Sequence, residues 1–389
     1  METPSVAYKF KGGAGVGTVR PMNVHDIREL FPITERYVYM NVANHGPPSL
    51  PVQDAVRGFL DDWDGLSRHG DRRTEETCHS FAKLINAEPD EVCAQPNTSA
   101  GLTAVAEALD WERGSNVVVN DLENSANLLP WLAQRRKGVE VRVVEGVGGA
   151  VRMEDVERAV DDETKAVSIS HVQWLTGARS DLRTLAGIAH DHGALLVVDG
   201  IQAAGSVAVD VERDGVDFYA CGSYKWLLGP SGAGFLYVRN ELIESLEPPV
   251  YGYRATERFE LKGSTLKDTA HRMELGEPAY LCFVGTKAGI DMFLELGPKE
   301  IEGRVLKLSG LLHDGLSELG AKVVSPSDPE CRSGVVSFTT GDDGSLHEGL
   351  RESGFVVSLR SAGIRVSVDF YNTEEEVERL LERVGTSLH

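Results

Sequence analysis

The chain contains 389 residues, of which 39 are basic and 60 are acidic, and its net charge is −21. At roughly 150 residues per domain, this length predicts two or three domains, or one large domain with a smaller partner. The negative charge repels nucleic acid and anionic lipid, so we expect neither as a partner. No stretch approaches the roughly 18 unbroken apolar residues of a membrane span. The first residues lack an apolar core, so we expect no secretory signal.

The five cysteines are Cys78, Cys93, Cys221, Cys282 and Cys331. Their number is odd, they lie far apart, and no two of them form a CxxC pair. This argues against a disulfide framework and against a zinc site of the common spacings. We therefore expect no metal and a reducing, cytoplasmic location.

Short β-branched runs and amphipathic patterns alternate through the first two thirds of the chain. The first 38 residues are rich in glycine and predict only a short helix at 24–30. The predicted strands are 116–120, 139–145, 166–171, 195–199, 217–220 and 234–238. Helical patterns at 99–109 and 182–190 lie between them. This alternation predicts a mostly parallel sheet that is covered on both faces.

The pattern changes after residue 248. A long helical segment, 281–319, has a break near Gly297 and Pro298. The end of the chain predicts strands at 321–324, 334–339, 356–359 and 364–368, with helices at 346–353 and 374–384. We therefore expect a large domain at 40–250, a connection at 251–279 and a smaller α/β domain at 280–389. The N-terminal segment 1–39 should pack on the small domain.

Asp199 and Lys225 are the strongest candidate functional residues. Asp199 ends an apolar strand, and open α/β sheets bind ligands beyond the carboxyl ends of their strands. Lys225 follows another short strand and precedes a bulky apolar run. It is either a surface lysine or a desolvated amine, and desolvation would make it a usable nucleophile.

Two further motifs have both a structural and a functional reading. Thr98 and Ser99 open a helix, where they either cap it or, with the free backbone N–H groups, bind a phosphate. Arg360 and Arg365 flank a short turn in a strand-rich segment. They lie either on a solvated hairpin edge or in a fork that binds a carboxylate.

Together these motifs resemble the class V aminotransferase and cysteine desulfurase family, whose members are fold type I enzymes that use pyridoxal 5′-phosphate (PLP). The similarity runs in the family's order from residue 39 to about 383. Its segments are YMN at 39–41, NLLPW at 127–131, TGARSDL at 176–182, GAGFLYV at 232–238, and RVS through YNT at 365–373. The resemblance implies a large domain with a mostly parallel seven-stranded sheet and a smaller C-terminal α/β domain.

The resemblance also implies a role for each motif residue. Lys225 would hold PLP as a Schiff base, and Asp199 would pair with the pyridinium nitrogen. Gln202 would bind the phenolic oxygen of the ring. Thr98, Ser99 and Tyr224 would hold the phosphate. Arg365 would bind the α-carboxylate of the substrate, with Arg360 and Trp174 as further substrate-binding residues. His171 either touches the cofactor or supports residues that do.

Several positions depart from the family pattern. Asn124 or Ser125 stands where many relatives place a His or aromatic residue that stacks on the cofactor ring. Trp174 replaces a common Asn. Glu277 replaces a Thr that reaches the partner subunit's phosphate. No cysteine lies after Cys331, whereas desulfurases carry a nucleophilic cysteine in a loop near the C-terminal arginines.

We therefore expect a PLP-dependent enzyme that acts on an amino acid, a small-molecule substrate, as an aminotransferase or a Cβ-eliminating lyase. The alternatives are an amino-acid epimerase and a desulfurase without the usual loop cysteine. Within the family, the chain resembles the branch of isopenicillin N epimerase and C–S lyase-like members. The resemblance also implies a homodimer. A non-catalytic scaffold is disfavoured because Lys225 and Asp199 are both present. The glycine run at 12–17 lacks the GxGxxG spacing of a dinucleotide-binding site.

Overall fold

The computed structural model describes residues 23–388, without the side chains of 63–68. The glycine run at 12–17 and the first 22 residues of the expected N-terminal segment lie outside this range. In the described part of the chain, no helix is both long enough and apolar enough to cross a membrane.

Helices and strands alternate through much of the chain. The helices are α1 (Val24–Arg28), α2 (Leu50–Asp61), α3 (Trp63–Ile85), α4 (Thr98–Ala108), α5 (Ser125–Gln134), α6 (Met153–Ala159), α7 (Leu182–His190), α8 (Asn240–Ile243), α9 (Tyr280–Leu296), α10 (Pro298–Glu318), α11 (Asp343–Glu352) and α12 (Glu374–Leu388). The strands are β1 (Val38–Tyr39), β2 (Val92–Gln95), β3 (Asn116–Asn120), β4 (Glu140–Val144), β5 (Thr164–Ser170), β6 (Leu195–Asp199), β7 (Phe218–Gly222), β8 (Gly234–Val238), β9 (Thr256–Arg258), β10 (Thr265–Leu266), β11 (Lys322–Val323), β12 (Val335–Thr339), β13 (Phe355–Val356), β14 (Ser358–Arg360) and β15 (Gly363–Ser367).

A seven-stranded sheet forms the centre of the larger part of the molecule. Its strand order is β2-β8-β7-β6-β5-β3-β4. Strand β8 runs antiparallel to β2 and β7, and the other neighbouring strands of the sheet are parallel. The expected fold, a mostly parallel seven-stranded sheet in an α/β protein, is confirmed. The parallel strands β5, β6 and β7 therefore all end at the same edge of the sheet.

Helices cover both faces of this sheet. Alternate residues of one strand enter opposite cores, as the two-residue period of a strand requires. Val198 packs in the core that contains Phe81 of α3. Its neighbour Val197 packs in the core that contains Leu102 of α4 and Trp131 of α5. Because both faces are buried, the strands read as continuous apolar runs.

The second sheet is antiparallel and is built from the end of the chain. Its strand order is β11-β12-β15-β14. Apolar residues of α10, α11 and α12 pack against it, including Leu312, Leu350 and Leu380. Strand β1 pairs in parallel with β13, and Arg28 forms an ion pair with Glu376 at 2.8 Å. Residues 28–39 therefore contact the C-terminal part, and the domain limits at 39, 250 and 280 remain a proposal.

Candidate active site

A cleft lies at the carboxyl edge of the central sheet, beside the start of α4. It is partly open to solvent. The residues that line it are Asn97, Thr98, Ser99, Asn124, Ala126, Ser170, Trp174, Asp199, Ile201, Gln202, Tyr224 and Lys225. Seven of the candidate residues named from the sequence therefore meet here, and Arg360 and Arg365 do not line the cleft.

Asp199 is the last residue of β6 and is only 2% exposed. Its Oδ1 accepts a hydrogen bond from the Ile201 N–H at 3.0 Å. Burial raises the pKa of this carboxyl to about 7, because a charged group loses its water there. The charge of Glu123 raises the pKa further, whereas Ile201 and Lys225 lower it. A cation beside Asp199 would stabilise the ionised form.

Lys225 follows β7 in a tight turn, in which Leu228 takes a positive φ of 57°. Its Nζ lies 5.7 Å from the centre of the Tyr224 ring. Burial lowers the pKa of this amine to about 8, and nearby Arg365 and Arg360 lower it too. The opposing charge of Asp199 raises it. A lysine with this pKa has a much larger neutral fraction near neutral pH than an ordinary lysine, and neutral amines act as nucleophiles and bases.

The start of α4 carries polar groups without protein partners in the described part of the chain. The Asn97 side chain caps the helix by accepting a hydrogen bond from the Ala100 N–H at 2.9 Å. Thr98 Oγ1 is buried and has no hydrogen-bond partner among the described residues. Ser99 is exposed beside it. A Cβ on Gly222 would lie 3.1 Å from Thr98 Oγ1, so glycine keeps the space above that hydroxyl open. Unpaired hydroxyl and N–H groups at a helix start suit a phosphate.

Gln202 is held at both ends of its side-chain amide. Its Nε2 donates to the Ala43 carbonyl at 3.0 Å. Its Oε1 accepts from Trp226 Nε1 at 2.7 Å. Since an amide carries two N–H donors, one of them is left for a ligand in the cleft.

Two residues of the cleft wall, Asn124 and Trp174, stand at positions where the sequence departs from the family pattern. Asn124 lines the cleft, whereas Ser125 is exposed and does not line it. Asn124 also caps α5 by accepting from the Ala126 N–H at 3.0 Å. Trp174 lines the cleft as well, and the guanidinium carbon of Arg365 lies 6.0 Å from its ring centre.

Arg365 lies on β15 and is 2% exposed. Its Nη1 donates to the Trp174 carbonyl at 2.7 Å. Burial lowers the pKa of its guanidinium to about 10, with a further contribution from the charge of Arg360. Arg360 Nη2 donates to Asn44 Oδ1 at 2.9 Å. Within the described residues, neither arginine forms an ion pair with a carboxylate.

Glu123 is a residue that the sequence analysis does not single out. Its buried carboxylate accepts hydrogen bonds from Asn120, Asn127 and Gln173 at 2.7, 2.9 and 2.9 Å. It also accepts from the N–H and the hydroxyl of Ser170 at 2.8 and 2.5 Å. Of these donors, Ser170 lines the cleft. A single Glu before an Asn gives no sequence signal that so many donors converge on it.

The cysteine thiols and His171 lie away from the cleft. Cys78, Cys93 and Cys221 are buried. Burial raises the pKa of all five thiols. Burial also lowers the pKa of His171 to about 3, and its Nδ1 lies 3.4 Å from the Tyr219 hydroxyl. These groups have little tendency to form thiolates or imidazolium near neutral pH.

Comparison with known proteins gives consistent results over nearly the whole chain. The family model "Aminotransferase class-V" matches residues 64–380. A probable cysteine desulfurase from Methanothermobacter thermautotrophicus is 31% identical over 93% of this chain and 97% of its own. The solved cysteine desulfurase from Thermococcus onnurineus has a TM-score of 0.87 and 28% identity, and covers 94% of this chain and 98% of its own.

A third relative is known with its cofactor. A variant of C-DES, which has glycine covalently linked to PLP, has a TM-score of 0.85 and covers 92% of this chain and 98% of its own. At 23% identity this similarity shows the fold alone.

The residues of the cleft fit PLP. The unpartnered Thr98 hydroxyl at a helix start suits its phosphate. The buried carboxyl of Asp199 suits its ring nitrogen, and Lys225 presents an amine of lowered pKa for its aldehyde. The chain belongs to the aminotransferase class-V family and is a PLP-dependent enzyme.

Proposed function

We propose that this enzyme removes the Cα proton of an α-amino acid at Lys225 and completes either Cβ elimination or transamination. The observation that carries the proposal is the pairing of Lys225 with buried Asp199 in a cleft lined by no cysteine. The relatives named cysteine desulfurases support a substrate whose C–S bond is cleaved. The short β14–β15 turn supports a reaction without a protein persulfide.

Each cleft residue has a proposed task. Bound PLP supplies an electron sink for the Cα of the attached amino acid. Thr98, Ser99 and Tyr224 would bind the phosphate, and Gln202 the phenolic oxygen. The following steps concern the residues that move or hold charge.

Lys225 would hold the cofactor through its amine, and the same amine, when free, would take the Cα proton on Nζ. The lowered pKa of Lys225 supports this, because a base works best when its pKa is near the working pH. Asp199 would stay ionised beside the protonated ring nitrogen. Arg365 would bind the α-carboxylate, and Trp174 would line the substrate side of the cleft.

The test has two readouts. Borohydride reduction of the PLP-loaded protein should leave a pyridoxyl group on Lys225, as mapped by peptide mass spectrometry. The Cα proton of the substrate should exchange with solvent deuterium. An adduct on a different lysine would overturn the assignment of Lys225. Retention of the Cα proton during turnover would overturn the role of Lys225 as the base.

We further propose a cytoplasmic homodimer. Phe259 is 75% exposed and Leu261 is 96% exposed, and both lie in the segment 249–275 that precedes α9. Exposed apolar residues close together in a chain support an interface. The free cysteines support a reducing compartment. Sedimentation of the wild type and of Phe259→Glu should give a dimer and a weakened dimer, and a wild-type monomer would contradict the proposal.

A further inference from the structure

Two arginines project from one face of the C-terminal sheet. Strands β14 and β15 form an antiparallel hairpin, in which Arg365 lies opposite Ser358 and Arg360 lies opposite Gly363. Ser358 and Arg360 are two residues apart, so they share a face, and Arg365 shares that face with them. Arg360 and Arg365 are therefore diagonal neighbours, a relation that places Cβ atoms roughly 7 Å apart.

This face is the one turned away from the apolar core of the small sheet. Ile364, Val366 and Val368 are fully buried in that core. Arg365 points to the opposite side, where it donates to the Trp174 carbonyl at the wall of the cleft. Arg360 points the same way and reaches Asn44, in the loop 41–46.

The positive charge on this face is not neutralised by the protein. The acceptors of the two guanidinium groups are neutral: the Trp174 carbonyl, the Asn44 side chain and the Ser358 hydroxyl. The Nε atoms of both arginines are buried without a hydrogen-bond partner in the described part of the chain. Arg365 is buried and Arg360 is half-buried. An unpaired buried charge is costly, and a like charge as its diagonal neighbour adds to the cost.

A substrate α-carboxylate accounts for only one of these cations. A carboxylate takes one guanidinium in a two-pronged pair. Arg365 is the more buried of the two, and it alone contacts a residue of the cleft wall. Arg360 then remains as a second, separate anion receptor at a distance of a few carbon–carbon bonds.

We propose that Arg360 binds a second carboxylate on the substrate, so that the preferred substrates are amino acids with an acidic side chain. This inference rests on the proposed function in one respect, that Arg365 binds the α-carboxylate. It names the substrate class of the same site. The two arginines thus bind the two carboxylates of a dicarboxylic amino acid.

Binding without turnover tests the inference directly. Calorimetry on the PLP-loaded protein compares glutarate with butyrate, which share a four-carbon unit and differ in the second carboxylate. The wild type should prefer glutarate. Arg360→Gln should weaken glutarate binding by roughly 10-fold, less than the loss of a fully buried charge pair, because Arg360 is half-buried. Butyrate binding should be unchanged, and Arg360→Lys should restore part of the loss.

Amino acids give a matched second comparison. The rate of Cα-proton exchange for glutamate relative to 2-aminopentanoate should fall in Arg360→Gln and stay unchanged in Arg351→Gln. Arg351 is an exposed arginine of α11 that pairs with Glu348, so it controls for the loss of a positive charge elsewhere.

The outcomes separate this inference from the proposed function. An equal loss of glutarate and butyrate binding in Arg360→Gln would mean that Arg360 shares the α-carboxylate, and would overturn the inference. Unchanged binding would mean that Arg360 only ties β14 to the loop 41–46, and would overturn it too. If the wild type binds glutarate selectively but exchanges no Cα proton, the proposed function is contradicted, whereas the role of Arg360 in binding a second carboxylate is still supported.

Discussion

At the scale of single residues, the charges of Asp199 and Lys225 depend on each other. The pKa of buried Asp199 is raised to about 7, and that of Lys225 is lowered to about 8. Each charge favours the ionised form of the other, and burial opposes both. Near neutral pH both groups are therefore close to their midpoints, and a small change in the cleft shifts a proton.

Removing the charge of Asp199 should separate cofactor binding from chemistry. We expect Asp199→Asn to keep PLP bound, because the phosphate cradle at α4 is untouched. Exchange of the Cα proton should slow by roughly 100-fold or more, the size of effect seen when an active site loses one electrostatic contact. Solvent-deuterium exchange followed by NMR measures this. Exchange at the wild-type rate would show that the carboxylate has no role in the chemistry.

Arg365 should determine the preference for a carboxylate. We expect Arg365→Ala to lose roughly 2–5 kcal/mol of transition-state binding, because a buried charge pair loses one member. Arg365→Lys should also be impaired, because Lys lacks the planar fork. The measurement is kcat/KM for an amino acid against its decarboxylated amine. If the Ala variant keeps the full preference for the amino acid, a different residue binds the carboxylate.

The sequence predicts the residues of the cleft better than it predicts their surroundings. Asp199 and Lys225 stand out because each follows an apolar strand, and strand ends are where ligands bind. Glu123 does not stand out, because its burial comes from donors on three separate segments. The choice of Asn124 over Ser125 at the cleft wall likewise depends on how α5 is capped.

At the scale of secondary-structure elements, the loop 41–46 is fitted closely against the turn that carries Lys225. The Gly46 N–H donates to the Tyr224 carbonyl at 2.9 Å. A Cβ on Gly46 would collide with the Lys225 carbonyl oxygen and lie 2.7 Å from Leu228 Cδ2. Only glycine permits this approach.

Gly46→Ala should therefore destabilise the protein by roughly 1–3 kcal/mol, the usual cost of overpacking, and should weaken PLP binding. Gly187→Ala is the matched control, because Gly187 lies inside α7 with nothing within 4 Å of an added Cβ. That change should stabilise the protein by roughly 0.5–1 kcal/mol through helix propensity. Urea unfolding and PLP titration measure both. Equal effects of the two variants would contradict the close fit at Gly46.

The predicted bounds of the elements agree best with the structure where both faces of a strand are buried. Strands β3, β6 and β8 and helix α7 have the predicted bounds, since continuous apolar runs and a clear helical period define them. Helices α2 and α3 are not predicted, because α3 is rich in charged residues and its apolar contacts with α9 come from far along the chain. Strand β2 is missed because it has only four residues, Val92–Gln95, and depends on pairing with β8.

At the scale of the whole molecule, stability should depend on pH through Asp369. This carboxyl is fully buried, and its Oδ2 has no hydrogen-bond partner within the described residues. Burial raises its pKa to about 8, against about 3.9 in an unfolded chain. Between these values the folded state holds a proton that the unfolded state lacks. The stability that Asp369 provides is therefore complete below about pH 4 and lost as the pH rises to 8.

Asp369→Asn should remove this dependence. The variant should gain stability over the wild type by up to about 1.4 kcal/mol for each pH unit between 4 and 8, because the neutral amide never ionises. Its Oδ1 can still accept from the Phe370 N–H, a bond of 2.8 Å in the wild type. Urea unfolding at pH 5, 7 and 9 measures the difference. Parallel stability curves would show that Asp369 does not titrate in this range.

Sulfur chemistry should not require a cysteine of this chain. We expect turnover to remain largely intact when the buried Cys78, Cys93 and Cys221 become Ala and the partly exposed Cys282 and Cys331 become Ser. None of the five lines the cleft, and burial keeps their thiols protonated. Steady-state kinetics of the folded variant measures this. Loss of activity from Cys331→Ser or Cys221→Ala alone would support the alternative that the enzyme is a cysteine desulfurase that uses that thiol.

The link between the loop 41–46 and the C-terminal sheet can form only late in the synthesis of the chain. The Ala43 N–H donates to Ser367 Oγ across 324 residues of sequence, and the same residue's carbonyl holds Gln202. At about 5–20 residues per second, a ribosome needs about 15–60 seconds to make the intervening chain. During that interval the nascent polypeptide can complete its central sheet, but the hydrogen bond from Ala43 to Ser367 that holds this loop cannot form. The growing chain is therefore exposed to chaperones and proteases with its cofactor pocket unfinished until Ser367 emerges.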